Sequence, residues 1–164
     1  MTRPLRSALL FVLLSSAGAA AIGQALETKF SCSATRTEDG EKVIYADNGE
    51  FRLRGDSIEA FRWESALYRS THGFDCSIDE GDGLMVEVRN DTPEPQWRVS
   101  LSSPRAARDR RGYGFDRRMN CTIRLERDGE MLHIRPSCPA LCGSRTNFSE
   151  LSVNMKTGQC RYEE

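Results

Sequence analysis

The residues with the most chemistry in them are six cysteines, Cys32, Cys76, Cys121, Cys138, Cys142 and Cys160, and one cluster of arginines. Cys138-Pro139-Ala140-Leu141-Cys142 places two sulfurs four residues apart beside a proline, with Gly143 following. Such a pair could run thiol redox chemistry or, with His133 and Cys160, hold zinc. Redox dithiols generally use a two-residue spacer, and zinc needs thiolates that oxidation removes. The pattern therefore points to structural disulfides. The arginines are Arg105, Arg108, Arg110, Arg111, Arg117 and Arg118, set against Asp109 and Asp116, with Tyr113 and Phe115 between Gly112 and Gly114. Guanidinium groups interleaved with aromatic rings suit recognition of carboxylates or other anions. A solvated charge run, neutralised by an acidic remainder, explains the same composition. His72 stands in Arg69-Ser70-Thr71-His72-Gly73 and His133 alternates with Leu132 and Ile134. Neither has an adjacent acid pair or a nucleophile-elbow serine, so the catalytic signal is weak. Asp79, Glu80 and Asp82, alternating with Gly81 and Gly83, lack the ligand spacing of a dedicated calcium loop and read as a turn. No cofactor or metal is expected.

Disulfides need an oxidising compartment, and the N-terminus supplies a route there. Residues 1–25 read as a secretory signal: Arg3 and Arg6 start it, Ala8 to Leu14 form an apolar stretch, and Ala19-x-Ala21 or Gly23-x-Ala25 offers cleavage. The stretch is too short for a membrane span, and no second long apolar run follows. Residues 26–164 then form one domain, long enough to bury a real core that the cysteines reinforce. The formal net charge of −1 becomes more acidic once Arg3 and Arg6 are lost, which argues against a nucleic-acid binder. Twenty arginines against three lysines (Lys29, Lys42, Lys156) fit GC-rich codon usage and a bacterial, hence periplasmic, address.

The elements that must position these residues read as strands. Three segments start at a cysteine, reach Asp-Gly and continue into an apolar run: Cys32 to Asp39-Gly40, Cys76 to Asp82-Gly83 and Cys121 to Asp128-Gly129. Asp-Gly provides the positive φ of tight hairpin turns, so three hairpins are expected, each with a cysteine on its first strand. If equivalent strands of related hairpins lie side by side, Cys76 bridges Cys121, and Cys32, Cys138, Cys142 and Cys160 share two further bridges. Asn48-Gly49 marks another turn, leading into Phe51 to Arg54. Trp97, Val99 and Leu101 fall on one face of a strand, and 151–155 alternates likewise. Residues 56–68 suit a helical stripe or a strand; the neighbouring strands favour strand for the first half. Asn90 to Pro95 is a loop, and Ser102 to Arg118 is irregular with a short helix around Ala106-Ala107. The fold class is all-β, an antiparallel sandwich or barrel-like domain built of hairpins and stapled by disulfides.

The ending Cys138-Pro-Ala-Leu-Cys142-Gly143-Ser144-Arg145, followed by Asn147-Phe148 and Thr157-Gly158-Gln159-Cys160, resembles a Cys-x-x-x-Cys-Gly-x-Arg ending of small exported bacterial proteins. The plan of signal, antiparallel β domain and disulfides is similar to that of periplasmic lysozyme inhibitors. Their Ser-Gly-x-x-Tyr-type loop is absent, Ser70-Thr71-His72-Gly73-Phe74 being a distant echo, so no inhibitory residue carries over. The resemblance implies an exported binding or inhibitory protein whose partner is an envelope protein or an anionic glycan. The alternatives are a small periplasmic hydrolase or redox protein using His72 or Cys138/Cys142, and a structural envelope protein.

Overall fold

The structure, a computed structural model, describes residues 25–111, 121–137 and 147–163. The signal-like segment 1–24 lies outside these, as do Tyr113, Phe115, Arg117, Arg118, Cys138 and Cys142. Strand β1 (Leu26–Glu38) alternates Thr28, Phe30 and Cys32 inward with Lys29, Ser31 and Ser33 outward, the period that a half-buried strand imposes. It turns at Asp39-Gly40, both at positive φ, into β2 (Glu41–Arg54). A second tight turn, opened by Gly55 at φ 58°, leads to β3 (Ser57–Tyr68), and β4 (Gly73–Ile78) follows. The four form one antiparallel sheet in the order β1-β2-β3-β4. Of the ambiguous segment 56–68, Asp56 completes the turn and Ser57–Tyr68 is strand throughout.

The chain then changes sheets. Asp79 caps a short 3-10 turn (Glu80–Asp82), and Gly83 ends it in the left-handed region at φ 75°. Strands β5 (Leu84–Arg89) and β6 (Gln96–Leu101) precede helix α1 (Pro104–Arg110); β7 (Ile123–Asp128), β8 (Met131–Pro136), β9 (Leu151–Asn154) and β10 (Cys160–Tyr162) follow it. These six strands form the second antiparallel sheet, again in chain order. One apolar cluster drawn from both sheets makes the core, with Trp63, Trp97, Phe51, Phe61 and Phe148 as its largest buried side chains. Burying each such ring contributes on the order of 2–3 kcal/mol. Trp97 faces inward with Val99 and Leu101, as its strand pattern requires. Its indole donates to the Asp56 carbonyl at 2.8 Å, tying the second sheet to a turn of the first.

First and last strands close the molecule. Ser31 and Gln159 form a parallel bridge, Cys32 bonds Cys160, and the Thr28 hydroxyl donates to the Met155 carbonyl. Cys76 and Cys121 are disulfide-bonded too. The premise for pairing Cys76 with Cys121 was that their hairpins are equivalent. That premise fails: β4 and β5, expected to form the second hairpin, belong to different sheets. The Asp79 cap and the Gly83 stop make a crossover there instead of a tight turn.

Asn48-Gly49 does not turn. Strand β2 runs straight through it, because Gly49 lies opposite Phe30 and a Cβ there would sit 2.2 Å from the tip of that ring. The glycine makes room for an aromatic neighbour across the strand pair. Helix α1 covers Ala106-Ala107, with Pro104 in its first turn.

Candidate binding surface

The arginine segment of residues 105–118 divides on folding. Arg105 and Arg110 are exposed, Arg105 lying 3.7 Å from Asp109 one helical turn on. Arg108 is only 2 % exposed and packs inward beside Ala107. Burial lowers its pKa, and the nearby charge of Asp82 opposes that shift. Arg111 is held by the 3-10 turn: its Nε and Nη2 donate to the two Asp82 oxygens at 2.8 Å, Nη2 lies 2.9 Å from Asp79, and Nη1 donates to Ser77 at 2.8 Å. Arg110 donates to the Gly81 carbonyl at 3.1 Å. Bidentate arginine–carboxylate pairs are the strong class of such contacts. Arg111, just past α1, therefore pairs with Asp79 and Asp82 of the acidic turn across the β4–β5 crossover.

Elsewhere, arginines far apart in sequence converge. On the outer face of the six-stranded sheet, the register places Arg98 of β6 opposite Arg124 of β7, and Arg124 opposite Arg135 of β8. With Arg89 at the end of β5 they line a cleft of about 400 Å³, completed by Gln96, Thr122, Ser137 and Glu150 among others. Four guanidinium groups thus face one carboxylate in the lining. The strands place them there by simple alternation: Trp97, Val99, Ile123, Leu125 and Ile134 point into the core, so Arg98, Arg124 and Arg135 point out. Arg135 is the most committed, bridging Glu126, Glu150 and Glu163. Arg124 lies 3.0 Å from Glu126, Arg89 3.1 Å from Asp91, and Arg98 4.0 Å from Glu87. Arg98 and Arg124 keep more than half of their side-chain surface in solvent.

The sequence reading missed this cleft. Its four arginines stand at 89, 98, 124 and 135, and only a strand register brings them together. The outward alternation of Gln96-Trp97-Arg98 was the available signal, but nothing local gave the partner strand.

A third cluster is internal. Cys32, Asp47, Ser65 and Cys76 are cross-strand neighbours on β1, β2, β3 and β4, and all four are buried. The Asp47 carboxylate accepts from the Trp63 indole at 2.8 Å and from the Tyr162 hydroxyl at 2.7 Å. Burial raises the Asp47 pKa, partly offset by hydrogen bonds from Tyr162, Ser65 and Trp63. Burial and the Asp47 charge likewise raise that of Tyr162. Arg36 lies over the Tyr45 and Tyr162 rings, 5.4 and 5.8 Å from their centres. Asn147 donates to the carbonyls of Ser65 and Phe74 at 3.1 and 3.2 Å, and Ser65 donates to the Asn147 carbonyl. This network ties the two sheets together.

The histidines lie apart from each other, and of the two His133 borders the arginine cleft, sharing Glu163 with Arg135. His72 is exposed, bonded to Thr71 and stacked against Phe74; His133 pairs with Glu163. Among the described residues no cysteine is free and no group of three or more His, Cys, Asp or Glu is placed to hold a metal ion. No described helix is long and apolar enough to cross a membrane. The class these observations define is a mostly β domain of two antiparallel sheets with a disulfide joining its first and last strands. No family model, curated protein or solved structure matches the chain.

Proposed function

We propose that this chain is an exported binding protein, acting outside the reducing cytosol and in the periplasm of a bacterial host, that takes an anionic partner in the arginine-lined cleft. One observation carries the reading: four guanidinium groups from four different strands meet over one concave surface of a chain with net charge −1. Arg124 stands directly opposite both Arg98 and Arg135, which disfavours the sheet, and the neighbouring carboxylates of Glu87, Glu126, Glu150 and Glu163 offset part of that cost. A bound carboxylate or other anion offsets that cost. The rigid frame supports the same reading, because a site on paired strands keeps its side chains in register without a bound ligand.

The test is capture from the host's extracytosolic fraction on immobilised wild-type protein and on an Arg98→Glu/Arg124→Glu variant. Retention that weakens with salt and is lost in the variant supports the proposal. Identical partners released at identical salt from both proteins would overturn it.

A further inference from the structure

We infer that the occupant of this cleft is an acidic segment of another protein, with carboxylates spaced among neutral or cationic side chains, and not a densely charged polyanion. The inference rests on the anion-binding reading above and concerns what kind of anion fits. Its basis is the sign pattern of the sheet face. The register sets Glu87, Arg98, Arg124 and Arg135 in one row across β5 to β8, and Arg89, Gln96, Glu126 and His133 in the next. Negative groups are thus built into both rows, and Glu150 stands in the lining itself.

Nucleic acids place a charge about every 1.7 Å of duplex, and their binding gains with each phosphate that a Lys or Arg neutralises. Laid on this face, such a chain would set phosphates against Glu87, Glu126 and Glu150. A net charge of −1 also gives no long-range pull on a polyanion. A protein segment carries its charges sparsely. It can seat one carboxylate between Arg98 and Arg124 and turn a neutral or cationic side chain toward Glu87 or Glu150.

Arg98 and Arg124 are the pair best placed for this. They are direct cross-strand neighbours, both more than half exposed; the carboxylate nearest Arg98, on Glu87, is 4.0 Å away, and Arg124 engages Glu126 through Nε at 3.0 Å. A carboxylate entering between them meets two guanidinium forks, the geometry that favours arginine over lysine. Gln96, Thr122 and Ser137 on the lining add polar groups for the segment's backbone. A cleft of about 400 Å³ has room for a few side chains of a partner.

The experiment uses the full mature chain and three labelled probes, read by fluorescence anisotropy. One is a peptide with glutamates interspersed among serines and lysines, one is polyphosphate, and one is a heparin fragment. The interspersed peptide is expected to bind saturably and more tightly than either polyanion. Arg98→Ala/Arg124→Ala should weaken it at least tenfold, and Arg98→Lys should weaken it measurably while keeping the charge. Near-ultraviolet circular dichroism on each variant confirms that the core is intact. Polyphosphate or heparin binding more tightly than the peptide, with the same sensitivity to Arg98 and Arg124, would overturn the inference and leave the anion-binding cleft standing. Failure of all three probes, or binding indifferent to both arginines, would remove the cleft reading as well.

Discussion

Asp47 is a carboxyl with no exposed surface, deep between two sheets, and its removal can be worked through from its partners. In Asp47→Ala the Trp63 indole and the Tyr162 hydroxyl both lose their acceptor. A buried donor left unsatisfied costs about 1–3 kcal/mol, so the pair costs about 2–6 kcal/mol. Asp47→Asn keeps one carbonyl oxygen and nearly the same volume, and separates the hydrogen-bonding role from the charge. Because burial raises the folded-state pKa of Asp47 above its unfolded value of about 3.9, the folded protein holds the proton more tightly. Its contribution to stability is then fully present below the unfolded pKa and is lost as pH rises through the folded one. The slope for one proton is at most about 1.4 kcal/mol per pH unit, and Asn removes it. Stability should be measured by urea titration from pH 4 to pH 8, following tryptophan fluorescence, since both indoles are buried and Trp63 touches the altered group. The Asn variant should gain on the wild type as pH rises. A wild-type-minus-variant difference that stays flat, or moves in favour of the wild type with rising pH, would refute the account of Asp47 as a carboxyl whose ionisation burial disfavours.

Three further substitutions probe the frame. Gly49→Ala should lower stability by about 1–3 kcal/mol, because its Cβ would meet the Phe30 ring at 2.2 Å and the Arg62 carbonyl at 2.7 Å; adding Phe30→Leu should recover part of the loss in a double-mutant cycle. Arg111→Ala removes the bidentate partner of Asp82, which is 6 % exposed, and should cost about 2–4 kcal/mol by chemical denaturation, whereas Arg105→Ala should stay within about 0.5 kcal/mol of wild type. Replacing Cys32 and Cys160 by alanine opens a loop of sequence separation 128, for which chain entropy gives about 5 kcal/mol as an upper figure; the other bridged cysteines already constrain the unfolded chain, so a guanidinium midpoint shift worth about 2–4 kcal/mol is expected.

The sequence carried the strands and lost the places where distant residues meet. Asp39-Gly40, with both φ values positive, and Gly129, at φ 58°, turn the chain as their dipeptides require, since that chemistry is local. Asn48-Gly49 carries a comparable turn signal and turns nothing, because Phe30, nineteen positions earlier, needs the space a side chain would take. Asp82-Gly83 also stops the chain, but whether a stop becomes a hairpin or a change of sheet depends on what the following strand pairs with. Leu84 pairs with Leu101 in the second sheet, and Trp63 pairs with Ile78 in the first. Arg108 and Arg111 show the same limit for a site: as letters they extend a basic patch, and only the packing of α1 against the crossover shows them turned toward Asp82.

Closure of the molecule depends on a pairing that no turn sets. Each sheet is a meander whose neighbours are consecutive in the chain, mostly joined by short connections, with residues 102–122 between β6 and β7 and 137–150 between β8 and β9 as the long ones. The meeting of β1 and β10 is different, for it joins residues more than a hundred positions apart and β10 is only Cys160–Tyr162. An apolar contact alone would tolerate a shift of two residues along so short a strand, since alternation returns the same face inward. Two specific contacts at its ends forbid that shift: Cys160 bonds Cys32, and Tyr162 donates to Asp47, the cross-strand neighbour of Cys32. A buried carboxyl whose ionisation burial disfavours therefore sits where one geometry must be selected over its neighbours. That selection also fixes the outward row, because Arg161 of β10 bonds Ser152, and Ser152 is paired across β9 and β8 with His133, beside Arg135 and the cleft.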